Sequence, residues 1–436
     1  MQRLFFFFLS LFLVLIFLCH YFIVGQAVYG DGIYYYSYVR SLVVDKDLDF
    51  RNEFNHHYNW KNNNSLKEDG GDNYVQRTKT GYFPNKYNIG APLTWIPTFL
   101  IAYILSFIVN VFYPISLYGY SDIFQLSVGV SNVIWIFLGL LILYKFLLSS
   151  YGAKTSLLTT SSIIFSTSLL YYGAVDVVNS HPSSFLFSVL FLVSWYKNKD
   201  NFSWKKGVEL GSILGILALI RTQDFIFYFP VLVYSLIKNK KNLHKVVIYL
   251  SIIGTSAFII FIPQLLIWKI LYGSPFNNPY FLGGEGFNFL NPHLMQLIFS
   301  SKVGILYTSP ILLISIYFLF LKWKNLFVFS LLMIILLQFY LISSWSGWSQ
   351  GESYGVRMLI SSYPFLSIGL AEFYKFLIKK TSFMLALLVV AVFSILNMAL
   401  ILVFLLFGQN PTYIEGINSQ NIIFERLKNV DKLLHL

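Results

Sequence analysis

The sequence predicts an all-α membrane protein that crosses the bilayer many times. Of its 436 residues, 56% are hydrophobic and only 11% are charged, whereas soluble proteins carry about 25% charged residues. A chain with so little charge cannot cover its surface in water, so most of that surface must face lipid. The evenly spaced short strands of a membrane β-barrel are not seen in the pattern.

The net charge of +12 comes mainly from short lysine-rich loops between apolar runs, as the cytosolic loops of membrane proteins require. This distribution argues against nucleic-acid binding. Cys19 is the only cysteine in the sequence, so an intramolecular disulfide and most thiolate metal sites are excluded.

The first apolar run, residues 4–24, predicts a retained membrane helix. It is too long for the core of a cleaved signal peptide, and no small-residue cleavage site follows it. Arg3 places the start of this helix in the cytosol. The helix therefore delivers Asp31 to the outside, within a few residues of the membrane.

Ten apolar runs have spanning length. They are residues 4–24, 91–113, 123–148, 155–173, 181–196, 246–271, 304–321, 325–343, 357–375 and 383–407. Two shorter runs, 207–220 and 224–237, predict a hairpin with Arg221 at its tip. Three of these runs lie between residue 90 and His181, and both of these positions are expected outside. An even number of crossings is therefore required, so one run is either re-entrant or hides a double crossing. The expected total is about 11–13 helices.

The lysine-rich loops also determine the expected orientation. Residues 1–407 form one transmembrane domain, followed by a short tail, 408–436. The external parts of the domain are residues 25–90, 272–303 and 344–356. The first of these is the longest, and its stretch GDGIYYYSYVRSLVV suits a short interfacial helix.

Arginine occurs where topology does not require it. Five of the seven arginines are expected outside or at the outer membrane edge, although the cytosolic loops are built from lysine. The five are Arg40, Arg51, Arg77, Arg221 and Arg357. A guanidinium grips phosphate or carboxylate through two parallel hydrogen bonds, which predicts an external anionic ligand. The alternative, favoured for Arg51 and Arg77, is structural ion pairing with acids of the first loop such as Asp45 and Glu53.

Two of these arginines stand in distinctive surroundings. Arg221 lies in ILALIRTQDFIFYF, where a charge between apolar runs is costly and commonly functional; the alternative is a buried pair with Asp224. Arg357 lies in WSGWSQGESYGVRML, whose glycines let the backbone approach a ligand closely. The alternative there is an interfacial turn in which Glu352 pairs with Arg357.

Two further basic residues and an acid lie at expected membrane edges. Lys86, in TGYFPNKYNIGAPL, either meets a phosphate as a point charge or extends to lipid headgroups. His181 opens an apolar run in NSHPSS, as a ligand-binding group or as an ordinary polar residue at a helix start. Glu285 lies among glycines, in a loop that either covers a site or simply connects two helices.

Asp31 allows two interpretations. The sequence GDG is typical of turns, so Asp31 can be a turn residue before an interfacial helix. Alternatively, it is a general base at a partly desolvated site, where a carboxylate accepts a proton from a sugar hydroxyl. Arg40 or Arg221 would then keep it ionised.

Several common enzyme motifs are missing from the sequence. It contains no Walker A motif, no Rossmann GxGxxG, no HExxH and no CxxC. These gaps argue against an ATPase, a Rossmann enzyme and a zincin.

The motifs quoted above resemble those of the GT-C superfamily of membrane glycosyltransferases, which includes protein O-mannosyltransferases and lipid A aminoarabinose transferases. In that superfamily an essential acid follows the first helix, and Asp31 in YGDGIYYY matches this position. The similarity covers roughly residues 1–375, through TGYFPNKYNIGAPL, HPSS, ALIRTQD and WSGWSQGESYGVRML. Gly32 replaces the second acid of the familiar pattern, and no later acidic pair follows, which argues against an oligosaccharyltransferase-like metal mechanism.

The resemblance implies a GT-C-like bundle in the inner (plasma) membrane of a bacterium, with its site facing the periplasm. It implies transfer of a hexose from a polyprenyl-phosphate carrier to a lipid, glycan or protein acceptor, with inversion at the anomeric carbon. Asp31 would act as the base. The carrier-phosphate and substrate-binding candidates are Arg40, Lys86, His181, Arg221, Glu352 and Arg357. No cofactor is required, and participation of a divalent cation stays open. A flippase for a lipid-linked glycan and an O-antigen-type polymerase or ligase are the alternatives.

Overall fold

The computed structural model describes residues 2–62 and 77–407, without the side chains of 57–62 and 407. The protein is an all-α membrane protein: 76% of the described residues are helical, and the only strand-like pairing within the described ranges is an isolated bridge between Phe287 and Trp345. Residues 63–76 of the predicted first external loop and the predicted tail, 408–436, lie outside the described residues.

The described residues form helices in the following order. They are α1 (Gln2–Val24), α2 (Asp31–Arg40), α3 (Arg51–Asn62), α4 (Gly90–Phe112), α5 (Asp122–Phe165), α6 (Leu169–Ala174), α7 (His181–Asn198), α8 (Trp204–Ile220), α9 (Tyr228–Lys238), α10 (Leu243–Tyr272), α11 (Pro279–Leu282), α12 (Leu294–Phe299), α13 (Ile305–Thr308), α14 (Ile311–Phe320), α15 (Leu326–Ser344), α16 (Tyr363–Lys380) and α17 (Phe383–Phe407). Turns of 3₁₀ helix occupy Thr222–Phe227 and Arg357–Ser362.

Six helical stretches among the described residues are long and apolar enough to cross a membrane. They are Gln2–Val24, Gly90–Phe112, Asp122–Phe165, Lys240–Tyr272, Leu326–Ser344 and Phe383–Leu406. The predicted run 304–321 is instead divided between α13 and the ten-residue α14. Pro310 lies at the division, where a residue without a backbone N–H cannot continue the hydrogen-bonding pattern of α13.

Helix α5 contains the predicted run 123–148 and the first part of the run 155–173, joined at Gly152, and the rest of the second run reaches α6. The φ of Gly152 is 74°, a backbone conformation that glycine adopts without steric cost. Before this point Tyr144 packs on Phe6 of α1. After it, the chain returns so far that Gly173 lies against Ile136 in the first half of α5. The two halves therefore run in opposite directions.

Both chain segments that flank α4 contact α2. Before α4, the Tyr87 hydroxyl donates to Asp31 at 2.7 Å. After it, the Gly119 carbonyl accepts from the Tyr36 hydroxyl at 2.6 Å, and the Tyr118 carbonyl accepts from Arg40 Nε at 2.9 Å. Because α2 is only ten residues long, the chain segments before and after α4 lie close to each other, although α4 itself is a continuous helix of 23 residues. The number of crossings between residues 91 and 181 therefore stays open.

The segments predicted to be external meet at one end of the bundle. The side chains of Lys86 and Glu285 form an ion pair at 2.6 Å, and the Ser346 amide donates to the Gly286 carbonyl at 2.8 Å. We call this end, formed by residues 25–62, 77–89, 273–304 and 345–356, the loop face. That the loop face points out of the cell stays a prediction from the lysine distribution.

Candidate functional site

Asp31 is the first residue of α2, and the glycines on both sides of it place it there. Gly30 has a φ of 53°, which favours glycine at the turn into the helix. At Gly32, a Cβ atom would lie 2.7 Å from the backbone oxygen of Val178. The helix therefore packs directly on the segment before α7, and no acidic side chain fits at the position where the GT-C pattern has its second acid.

Asp31 forms an ion pair with Arg357, at 2.7 Å between Oδ2 and Nη1. The Tyr87 hydroxyl donates to the other carboxylate oxygen at 2.7 Å. Burial and the negative charge of Asp31 raise the pKa of Tyr87, so its hydroxyl stays a donor at neutral pH. The side chains of Asp31 and Arg357 are 33% and 22% exposed, so both are accessible from solvent.

The charge partner of Asp31 differs from the one expected. The sequence predicts that Arg40 or Arg221 keeps Asp31 ionised. In the interpretation without a ligand, it predicts that Arg357 pairs with Glu352. Glu352 instead accepts a hydrogen bond from Lys302 at 2.8 Å and is 70% exposed. Glu352 therefore lies outside the cluster around Asp31.

Arg221 is buried beside His181. Its Nη1 donates to Nδ1 of His181 at 2.6 Å, and its Nη2 donates to the Gln223 side chain at 3.1 Å. Because a guanidinium only donates, Nδ1 of His181 accepts and the ring proton lies on Nε2. The Gln223 amide in turn donates to the Met358 carbonyl at 3.2 Å. Gln223 thus connects Arg221 to the turn that carries Arg357.

Asp224 fixes the position of this turn. Its buried carboxylate accepts hydrogen bonds from Ser184 of α7 at 2.9 Å, Gln338 of α15 at 2.9 Å and Ser361 at 2.7 Å. A buried charge requires such partners. In place of the direct pair with Arg221, which was the alternative interpretation, Asp224 has three neutral donors. They join the Arg221 segment to α7, α15 and the Arg357–Ser362 turn.

Lys86 lies at the rim of this cluster. Its ammonium is 2.6 Å from the Glu285 carboxylate and 5.3 Å from the centre of the Tyr280 ring. It directly precedes Tyr87, which bonds to Asp31. The loop containing Glu285 therefore contacts the chain segment next to Asp31.

Arg40 lies at the opposite end of α2 from Asp31, about 14 Å away along the helix axis. Its guanidinium bonds to Asp45, to Glu53 at 2.8 Å and to the Tyr118 carbonyl at 2.9 Å. It also lies 4.2 Å from the centre of the Tyr120 ring. A cavity of about 570 Å³ opens beside it. The structure thus places Arg40 in a structural ion pair, the alternative interpretation for the loop arginines.

The burial of Glu53, the partner of Arg40, predicts that the folding stability of the protein depends on pH. Glu53 is 0% exposed, and its Oε2 has no hydrogen-bond partner among the described residues. Burial outweighs the attraction of Arg40 and raises the pKa of Glu53 from 4.5 to about 7. The folded protein therefore holds this proton more tightly than the unfolded chain does. The resulting stabilisation is complete below pH 4.5 and is lost as the pH rises through about 7.

We expect Glu53→Gln to remove this pH dependence. From pH 4.5 to 8 the wild type should lose up to about 3 kcal/mol of stability from this group, and the variant should not. Thermal unfolding of the detergent-solubilised protein over this pH range measures the difference. Glu352→Gln, which removes an exposed carboxylate, should follow the wild type. Parallel profiles for wild type and Glu53→Gln would contradict the prediction.

Asp176 is a site residue that the sequence analysis missed. It lies between α6 and α7, within electrostatic reach of Arg357 and Asp31. Burial raises its pKa to about 7, against the opposing effect of Arg357. The signal in the sequence was an acid inside the apolar stretch GAVDVV, five residues before His181. Its apolar neighbours made it resemble part of a membrane run.

Tyr35 is a second residue that was missed, because a tyrosine-rich stretch is also typical of a membrane interface. Its buried hydroxyl donates to Ser180 at 3.0 Å. The charges of Asp31, Arg221 and Arg357 all act on it. These three residues, far apart in the sequence, therefore lie within electrostatic reach of one hydroxyl group.

The cluster combines one partly exposed carboxylate, two guanidinium groups and a second carboxyl group that holds its proton near neutral pH. We call Asp31, Asp176, His181, Arg221 and Arg357 the central cluster. It is suited to binding an anion next to a group that can accept a proton. In the described part of the chain, no three His, Cys, Asp or Glu side chains are grouped so as to hold a metal ion. No family model matches the chain, and no curated protein shows significant similarity to it.

Proposed function

We propose that the central cluster transfers a sugar from a polyprenyl-phosphate carrier to an acceptor hydroxyl group at the loop face. The observation that carries the proposal is the contact of Asp31 with Arg357 beside Arg221. A proton acceptor and two phosphate-binding groups are thereby brought together at the position where GT-C enzymes have their essential acid.

The carrier phosphate binds Arg357 and Arg221. Both guanidinium groups can donate to phosphate oxygens, and charge-assisted bonds of this kind are stronger than neutral ones. The phosphate competes with Asp31 for Arg357, so donor binding releases the carboxylate from its ion pair. Lys86 contributes when the phosphate or acceptor displaces Glu285 from it. Arg40 and Glu352, which have other partners, do not take part.

The transfer is a single displacement. The acceptor oxygen forms a bond to the anomeric carbon from the side opposite the phosphate, and the bond from that carbon to the phosphate oxygen breaks. The acceptor proton passes to Asp31, and the electron pair leaves with the polyprenyl phosphate, whose charge the two arginines stabilise. The configuration at the anomeric carbon is inverted.

The experiment uses the full chain in proteoliposomes with polyprenyl-phosphate hexoses labelled in the sugar and a membrane extract as the acceptor source. We expect free polyprenyl phosphate to appear together with labelled acceptor. Movement of the intact labelled lipid between leaflets, without cleavage, would replace the proposal by a flippase. Transfer of a preassembled glycan from a polyprenyl diphosphate, with no use of the monophosphate donors, would replace it by a polymerase or ligase.

A further inference from the structure

Residues 273–301 connect α10 to the short helices before α14, and they are unusually apolar for a loop. Glu285 is their only Asp, Glu, Lys or Arg residue. Its carboxylate is turned toward Lys86. Nine large apolar side chains of this segment are nevertheless exposed, including Leu290 at 99%, Phe276 at 84% and Met295 at 68%. An exposed apolar surface of this size marks a contact with a membrane or another protein.

Several polar groups of the segment are bonded within the protein, although Asn288, Asn291 and Gln296 are exposed. The side chains of Asn277, Asn278 and Asn288 bond to backbone groups of the segment or of the adjoining Tyr272. The backbone amides of Asn288 and His293 donate to carbonyls at the end of α15, at 2.6 and 2.8 Å. Backbone groups in an apolar medium must find such partners within the protein, whereas a loop in water need not.

The exposed surface of the segment continues into the apolar surface of a membrane helix. Phe287 stacks on Phe289, with ring centres 5.3 Å apart, and Phe289 stacks on Tyr340 of α15 at 6.0 Å. On the same helix Leu336 is 60% exposed. Trp345 and Trp348 follow directly after α15, and tryptophan is enriched where membrane helices meet the headgroups.

We propose that residues 273–301 form a membrane-embedded segment whose apolar side chains lie among the acyl chains of the leaflet at the loop face. The exposed surface of the segment is continuous with that of α15. Since the exposed surface of a membrane helix faces lipid, we infer that lipid also covers the segment. The absence of an exposed charge in the segment agrees with this partner, since charged groups are costly below the headgroups. The inference does not depend on glycosyl transfer.

A spin label tests this placement in the full chain. Cys19 is replaced by serine, and single cysteines are introduced by Leu290→Cys or Met295→Cys, labelled and reconstituted in lipid bilayers. Collisions with oxygen, which concentrates in lipid, are compared with collisions with a water-soluble nickel chelate. Phe258→Cys on the exposed side of α10 is the lipid standard, and Lys79→Cys in the exposed 77–82 turn is the water standard.

We expect both Leu290→Cys and Met295→Cys to resemble Phe258→Cys, with oxygen collisions exceeding nickel collisions. The reverse ratio at either position would place the segment in water and overturn the proposal. Protection of either label from both reagents would show that protein covers the surface, whether a second copy or another part of the chain, and would also overturn it. Thermal unfolding like that of the unlabelled protein checks that each variant is folded.

Discussion

Asp31→Asn is expected to lower sugar transfer by about a thousandfold, because a general base contributes typically 10²–10⁴ to the rate. The amide still accepts from the Tyr87 hydroxyl, but it cannot take the acceptor proton. It also leaves Arg357 without its anionic partner, so donor binding should be retained or strengthened. Release of polyprenyl phosphate at saturating donor measures the rate, and the KM for the donor measures the second effect.

The matched control for this variant is Asp49→Asn. Asp49 belongs to the same loop and also lies at a helix start, where its carboxylate accepts from the Arg51 amide at 3.3 Å. Asparagine preserves that contact, so transfer should stay at the wild-type rate. Wild-type transfer by Asp31→Asn, with the protein at normal abundance, would eliminate Asp31 as the base.

Arg357→Lys is expected to lower kcat/KM by about 10²–10³, a range typical of losing one preorganised donor to a developing charge. Lysine keeps the positive charge, but it lacks the planar fork that holds two oxygens at once. Both donor binding and departure of the phosphate should suffer, so KM should rise and kcat should fall. Initial rates at varied donor concentration separate the two effects.

Coupling between the two residues provides a second criterion. If Asp31 and Arg357 act as one unit, the double variant Asp31→Asn, Arg357→Lys should be little worse than Asp31→Asn alone. Arg51→Lys, whose guanidinium lies 5.8 Å from the centre of the Phe83 ring, is the control and should transfer normally. Fully additive losses in the double variant would argue against a shared role.

The membrane class could be predicted because it depends on composition and on runs of apolar residues, which are local properties. The hairpin tip at Arg221 could be predicted for the same reason, since α8 ends at Ile220 and α9 begins at Tyr228. The course of the chain around α4 could not be predicted in this way. A long apolar run such as α4 looks the same in the sequence whether or not the segments before and after it both return to α2, as Tyr87 and Gly119 do.

Individual residues of the candidate site could be predicted from the sequence, but the partner of each residue could not. Costly charges such as Arg221 are visible in a sequence because apolar residues flank them. Which acid meets which base depends on packing over long sequence separations: Asp31 meets Arg357, whereas Glu352, only five residues before Arg357, meets Lys302. Gly32 illustrates the same limit. The sequence shows a glycine after Asp31, but only the fold shows that a Cβ atom there would lie 2.7 Å from the Val178 carbonyl.

The bridge made by Gln223 has a consequence for ligand choice. One amide side chain bonds both to Arg221 and to the Met358 carbonyl next to Arg357, and Gln338 holds that amide from α15 at 3.0 Å. Gln223 therefore links the position of Arg221 to that of the turn carrying Arg357. In the proposed mechanism, an anion that binds both guanidinium groups has to fit the distance between them, so we expect anions of other sizes to bind less tightly.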